Sequence, residues 1–294
     1  MTSSVMIALI IIALFLVAEL KTSRADGEII RKMHPYRRIM SFIMPTRNES
    51  LVFFDEYIDA GNLLAFLEKK NEEFPVDITH CLLGALFIAL RENPEMNRFV
   101  VGRRLYQRKD ITVTFSMKRI KKNKKAKLAA VKIVAKPDFK FRELCASVQS
   151  NINVERSDET TYADKELGFF FHIPRPILRF CVGFFRVLDY YNLLPPAFIA
   201  NDALYTSIFL ANLGSLDMKA GFHHLYEWGN CPLFAMVGKI EERPVCIDGQ
   251  VLARKMLHVR FTFDERIDDG LTARGGIETF RQVLEDPFLY FEGA

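Results

Sequence analysis

Phe263 to Gly270 reads FDERIDDG, and the reading of the whole chain turns on it. Downstream, Phe280 to Pro287 reads FRQVLEDP. Upstream, Phe209 to Gly214 reads FLANLG, and Ala235 to Met256 reads AMVGKIEERPVCIDGQVLARKM. Farther toward the amino terminus, Asp77 to Asn97 reads DITHCLLGALFIALRENPEMN. After it, Lys109-Asp110-Ile111 leads into a strand and hairpin that closes at Val134-Ala135-Lys136-Pro137-Asp138.

The periodicity between these stretches is mixed α/β. Leu51 to Ile58 is rich in strand formers and bounded by polar residues. Asp59 to Asn71 predicts a helix capped by Asp59, with Leu63, Leu64 and Leu67 on one face. Asp77 to Leu90 predicts another, which Pro94 forbids from continuing easily. Ile111 to Met117 and Leu128 to Ala135 predict strands. Between them, residues 118–127 read KRIKKNKKAK, a hairpin tip with seven basic residues in ten. Such a run is a solvated loop or a contact for anionic lipid. It is not read as a nucleic-acid site, because no aromatic stacking residues are interleaved. Residues 168–200 form an apolar insertion. Within it a helix is expected from Ile177 to Leu193, with Arg179, Gly183, Arg186 and Asp189 as one narrow polar stripe. That helix suits packing on the core or another subunit, a membrane surface, or a lid over an apolar pocket.

The composition is that of a folded domain. The 294 residues are 50% hydrophobic and 26% charged, with a formal net charge of +4, so no global argument for nucleic acid follows. The five cysteines are dispersed and show neither a disulfide framework nor zinc-ligand spacing. No metal site is expected. Gly275-Gly276 lies inside an expected helix and matches no phosphate-binding motif.

Val5 to Ala18 is an unbroken apolar run followed by Glu19, Leu20, Lys21 and Arg24. A spanning helix needs roughly 17–25 largely apolar residues, so residues 1–21 are expected to be a membrane anchor at the short limit. The flanking cations then put the domain in the cytoplasm. The alternative is a signal peptide cleaved near Ala25, with secretion of the rest. Residues 22–32 read as a linker and residues 33–294 as the domain. Membrane contact is expected through residues 5–20, 118–127 and 177–193.

Taken in order, the quoted stretches resemble the acyltransferase catalytic domain of the 2-oxoacid dehydrogenase E2 proteins, of the chloramphenicol acetyltransferase-like fold. The family motif Asp-His-Arg-x-x-Asp-Gly corresponds to Asp264, Glu265, Arg266, Asp269 and Gly270. The family's strand ending in Asn-Leu-Gly corresponds to Ala211, Asn212 and Gly214 with their neighbours. The resemblance covers about Met33 to Pro287. It implies a CoA-dependent α/β acyltransferase fold, a mixed sheet with flanking helices, assembled as a homotrimer. It also implies an active site in a channel between subunits that takes coenzyme A or acyl-CoA from one side. No lipoyl attachment domain is expected within these 294 residues.

Acyl transfer to a thiol or hydroxyl needs a base for the nucleophile's proton, donors for the oxyanion, and positioning of both reactants. By the resemblance, the base position holds Glu265 in place of histidine, and the oxyanion hydroxyl falls on Ala211. The second motif carboxylate, Asp269, is expected to pair with Arg37 or Arg38. Three readings compete. The domain is a degenerate transferase kept as a trimeric scaffold or acyl-CoA-binding module. Or Glu265 is itself the base, its pKa raised by an apolar channel. Or His223 and His224 supply the missing imidazole.

Overall fold

The computed structural model describes residues 3–118, 128–135, 138–156 and 173–292. After α1 (Ser3–Leu20) come β1 (Gly27–Ile29), α2 (Pro35–Ile43), β2 (Leu51–Asp59), α3 (Gly61–Asn71) and α4 (Ile78–Glu92). Next are β3 (Arg98–Val101), β4 (Arg104–Arg108), β5 (Thr112–Lys118), β6 (Leu128–Val134) and α5 (Phe141–Arg156). The described chain then continues with α6 (Arg175–Tyr190), α7 (Pro196–Asn201), β7 (Ile208–Asn212), β8 (Leu233–Ile247) and β9 (Gln250–Asp264), and closes with α8 (Gly270–Glu285) and α9 (Pro287–Glu292). The strands expected from Leu51, Ile111 and Leu128 and the helices expected from Asp59 and Asp77 all form, with ends shifted by two residues or fewer. Asp77 caps α4, accepting from the Thr79 and His80 main-chain N–H groups at 2.8 and 3.3 Å, while the His80 ring returns to the Asp77 N–H.

Six strands form a mixed sheet in the order β2-β9-β8-β7-β5-β6. The β5/β7 and β7/β8 pairs are parallel and the others antiparallel. A separate antiparallel sheet, β1-β4-β3, sits beside it. Because strand side chains alternate, the six-stranded sheet has two different faces. Ile208, Leu210, Leu233, Ala235, Leu257, Val259 and Phe261 point to the main core, where α3, α4, α5 and α8 cover them. Helix α4 is enclosed from His80 to Leu90, which is why its apolar residues run without a polar face. Each fully buried Leu or Phe here contributes about 1.5–3 kcal/mol relative to exposure. The opposite face carries Phe209, Ala211, Phe234 and Met236, covered in part by Ala220, Leu225 and Cys231 from the segment between β7 and β8.

The expected membrane anchor is overturned: among the described residues no helix is long and apolar enough to cross a membrane. At about 1.5 Å per residue the 18 residues of α1 reach about 27 Å, short of a hydrocarbon core of about 30 Å. Glu19 also falls within its last turn, where its carboxylate and main-chain oxygen both accept from Arg104 (2.7 and 2.6 Å). The cytoplasmic placement inferred from the anchor falls with it.

Processing near Ala25 does not sit on a free linker either. Arg24 is 8% exposed and donates to Asp26 (2.9 Å), Asp189 (2.9 Å) and Asn192 (3.1 Å), and β1 begins at Gly27. Membrane contact through residues 5–20, 118–127 and 177–193 finds no support in the structure. Of the basic run, residues 119–127 lie outside the described residues. Helix α6 has no buried residue, and Phe180 is 72% exposed.

Candidate active site

The site is built on the turn that joins β9 to α8. Asp264, the last residue of β9, is 1% exposed. One of its oxygens accepts from Ser50 Oγ (2.7 Å), from Arg266 Nε (2.9 Å) and from the Arg266 main-chain N–H (3.1 Å). The other accepts from Arg266 Nη2 (2.8 Å). Arg266 spends its remaining donor on the carbonyls of Met44 and Pro45, just beyond α2. This buried, two-pronged pair folds the chain back on itself and fixes the intervening residue, Glu265.

Glu265 is held by its main chain from both sides. Its N–H donates to Ser50 O (2.9 Å) and its carbonyl accepts from Arg37 Nη1 (2.8 Å). Its carboxylate is half-buried and makes no hydrogen bond or ion pair with any described residue. Pro35 at the first turn of α2, with His34 accepting from the Tyr36 N–H, orients the helix that presents Arg37.

Arg37, not Arg38, meets the motif's carboxylates. Its Nη2 lies 3.4 Å from Asp268 and 3.9 Å from Asp269, whereas Arg38 is exposed and its guanidinium has no carboxylate partner. Asp269 caps α8, accepting from the Leu271 and Thr272 N–H groups at 3.0 and 3.3 Å, with Gly270 as the first helical residue. The closer partner is Asp268, which also bridges to Arg98. Sequence reasoning passed over Asp268. The available signal was the Asp268-Asp269 doublet facing a run of arginines.

Ala211 sits on β7 in the smaller apolar cluster, 8% exposed. Asn212 reaches Thr79 Oγ1 at 3.5 Å. Gly214 is required by close approach, because a Cβ there would stand 2.6 Å from Gly238 O. Among the described residues, no hydrogen bond or ion pair joins Ala211 or its neighbours to the Glu265 turn.

His223 and His224 stand elsewhere, in the segment that covers the second sheet face. The His223 ring stacks on Phe234 at 3.9 Å and its Nδ1–H donates to the His224 carbonyl; His224 Nδ1–H donates to Leu225 O (2.9 Å). Burial, only partly offset by the bond to the His224 carbonyl, holds the His223 imidazole below its usual pKa. Neither histidine hydrogen-bonds to Glu265. His258 is buried on the same sheet face, where it stacks on Tyr57 at 4.4 Å and pairs through Nε2 with Asp55, which also takes Arg260 (3.0 Å). Burial would raise the Asp55 carboxyl, but these two partners bring it below the usual range.

The sequence model of the 2-oxoacid dehydrogenases acyltransferase (catalytic domain) family matches residues 200–291, the segment that holds β7, β8, β9, the Glu265 turn and α8. This is the fold of an E2 acyltransferase catalytic domain. The E2-like segment is 44% identical over 64 residues to the lipoamide acyltransferase component of the branched-chain alpha-keto acid dehydrogenase complex of Pseudomonas putida. That match covers 21% of this chain and 15% of the relative. It is 38% identical over 60 residues to the succinyltransferase component of the 2-oxoglutarate dehydrogenase complex of Haemophilus influenzae, covering 20% and 15%. The chain thus spans about 15% of the length of the curated relatives it matches. The architecture extends farther than the sequence match. A structure of Azotobacter vinelandii dihydrolipoamide acetyltransferase superposes with a TM-score of 0.58 at 18% identity, covering 89% of this chain and 94% of that one. Chloramphenicol acetyltransferase superposes at 0.52 with 13% identity, covering 88% and 98%. Among the described residues of the E2-like domain, no group of three or more His, Cys, Asp or Glu stands together to hold a metal ion.

Proposed function

We propose that this E2-like domain keeps the acyltransferase scaffold but not the family's acid–base chemistry, and serves as an acyl-CoA-binding or trimeric assembly module. The observation that carries this reading is Ala211: a methyl group enclosed by Phe209, Met236 and their neighbours stands at the expected oxyanion-donor position. Losing one such donor removes roughly 2.7–4 kcal/mol of transition-state stabilisation. The Azotobacter acetyltransferase structure belongs to an investigation of a serine, a histidine and an asparagine in that enzyme's catalytic mechanism. By the resemblance, the serine and histidine positions here are Ala211 and Glu265. Resemblance to the family supports coenzyme A as ligand. The same resemblance supports a trimer, and Phe53 on β2 with Phe222 from the segment between β7 and β8, 44% and 62% exposed, suits a neighbouring subunit.

A second reading is favoured by one feature, the unpartnered carboxylate of Glu265 on a pinned backbone. A carboxylate so placed at a channel between subunits can take the proton of a thiol as it attacks the acyl carbonyl, with the coenzyme A thiolate leaving as the tetrahedral intermediate collapses. His223 and His224, each engaged with a main-chain carbonyl and stacked, support the third reading least.

The test is titration of coenzyme A and acetyl-CoA into the protein, with acyl exchange onto a dithiol followed by mass spectrometry. The module reading expects binding without exchange in the wild type, and exchange appearing in the Glu265→His/Ala211→Ser double variant. Exchange by the wild type that disappears in Glu265→Gln would replace it with the glutamate-base reading.

A further inference from the structure

Beside the Glu265 turn, between β1, α2 and the β3–β4 hairpin, lies a cavity of about 390 Å³. Six of its thirteen lining residues are arginines: Arg31, Arg37, Arg38, Arg103, Arg104 and Arg266. Among the described residues, no aspartate or glutamate lines it. Three of the six are neutralised from outside the cavity: Arg266 by Asp264, Arg37 by Asp268, and Arg104 by Glu19. Among the described residues, the other three have no carboxylate within reach. Arg31 donates only to Thr22 Oγ1 (3.3 Å), Arg103 rests over the Phe42 ring (5.1 Å), and the Arg38 guanidinium has no partner.

Two details mark this as a built arrangement. Arg103 occupies the hairpin turn with a φ of 59°, a left-handed conformation that favours glycine or asparagine, so a long cation is placed where chain geometry argues against it. Like charges gathered around a concavity repel one another. That repulsion is relieved by one kind of guest, a compact polyanion whose oxygens accept from several guanidinium forks. Arginine forks match phosphate geometry, and three uncompensated cations call for about three negative charges within one small molecule.

We propose that this cavity binds the oligophosphate group of a small phosphorylated ligand, with Arg31, Arg38 and Arg103 supplying the uncompensated charge. Ile29, Met33, Val100 and Leu105 on the same walls suit an apolar or planar group attached to the phosphates. The proposal does not rest on acyl transfer. A free oligophosphate and the phosphates of a nucleotide-bearing ligand offer the same chemistry.

The test is isothermal titration of tripolyphosphate, ADP and coenzyme A into the full chain at low ionic strength. Tripolyphosphate is expected to bind, more weakly as salt is raised. Arg31→Gln and Arg103→Asn are each expected to weaken it about tenfold. Asparagine tolerates the left-handed turn and Arg31 is exposed, so at least one of the two variants keeps the fold. Tighter binding of ADP or coenzyme A than of tripolyphosphate would identify a nucleotide-bearing ligand; tripolyphosphate as the tightest of the three would identify a free oligophosphate. A control replaces Lys121, Lys122, Lys124 and Lys125 with glutamine and is expected to bind as the wild type does. Absence of binding, equal binding by the arginine variants, or loss confined to the lysine variant would overturn the proposal.

Discussion

The guanidinium of Arg37 donates to the main-chain oxygen of Glu265 at 2.8 Å, while the Glu265 carboxylate makes no hydrogen bond or ion pair with a described residue. The two residues therefore have opposite mutational signatures. Glu265→Gln and Glu265→His are expected to leave unfolding stability within about 0.5 kcal/mol of wild type, since nothing is lost. Arg37→Gln breaks the carbonyl bond and the ion pair to Asp268, and is expected to destabilise by about 1–3 kcal/mol. Urea denaturation of the three variants checks both. A large effect of Glu265→Gln would mean its carboxylate has a partner in the assembled protein.

Asp264 and Arg266 form the buried pair on which the turn depends. Asp264→Asn leaves the Arg266 guanidinium, 5% exposed, without its counter-charge. Removing one partner of such a pair costs about 3–5 kcal/mol. A denaturation midpoint lowered by that amount, with hydrogen exchange accelerated at the turn and the first turn of α8, is the expected result.

These two residues also show what the sequence reveals. The motif around Glu265 is legible through its resemblance to the E2 pattern, and the strands from Leu51, Ile111 and Leu128 and the helices from Asp59 and Asp77 are legible as local patterns, although Asp59, expected to cap its helix, stands one residue before the cap position held by Ala60. The carboxylate that Arg37 prefers is not, because choosing Asp268 over Asp269 depends on how α2 and β3, distant in sequence, converge on one turn. The same limit applies to residues 22–32. Their polar composition reads as linker, yet Arg24 and Asp26 are buried because they meet Asp189, Asn192, Arg108 and Asn230, each from 82 to 204 positions away. The apolar run of α1 reads as a span by composition, and only its length and the docking of Glu19 on Arg104 decide otherwise. The arginine cavity is equally hidden, since its six residues come from four separate segments.

Gly276 lets α8 lie close to the short helical turn after α4. A Cβ there would stand 1.7 Å from Met96 Sδ and 2.9 Å from Cε, and Met96 is itself buried. Gly276→Ala is expected to destabilise by about 1–3 kcal/mol despite alanine's better helix propensity, because overpacking outweighs it. Met96→Ala alone opens a cavity, but the double variant relieves the clash. The pair should then be less destabilised than the sum of its parts, as a thermodynamic cycle by denaturation would measure.

The buried network around Arg24 makes acid stability depend on two carboxylates in opposite ways. Burial alone would raise the Asp26 carboxyl, but Arg24 and Arg108 hold it below its ordinary 3.8. The unfolded chain therefore binds the proton more readily than the folded one. Asp26 contributes stability that is fully present above the unfolded value and is lost as pH falls through the lower folded value. Burial raises the Asp189 carboxyl despite Arg24, so its folded form takes up the proton first, and its contribution declines as pH rises through the window above 3.8. Denaturation across pH 3 to 7 should separate them. The stability difference between wild type and Asp26→Asn holds steady down to about pH 4 and shrinks below it. The difference between wild type and Asp189→Asn instead grows in favour of wild type as the solution is acidified. Parallel slopes for the two variants would mean that Arg24 favours both carboxylates alike and that burial does not distinguish them.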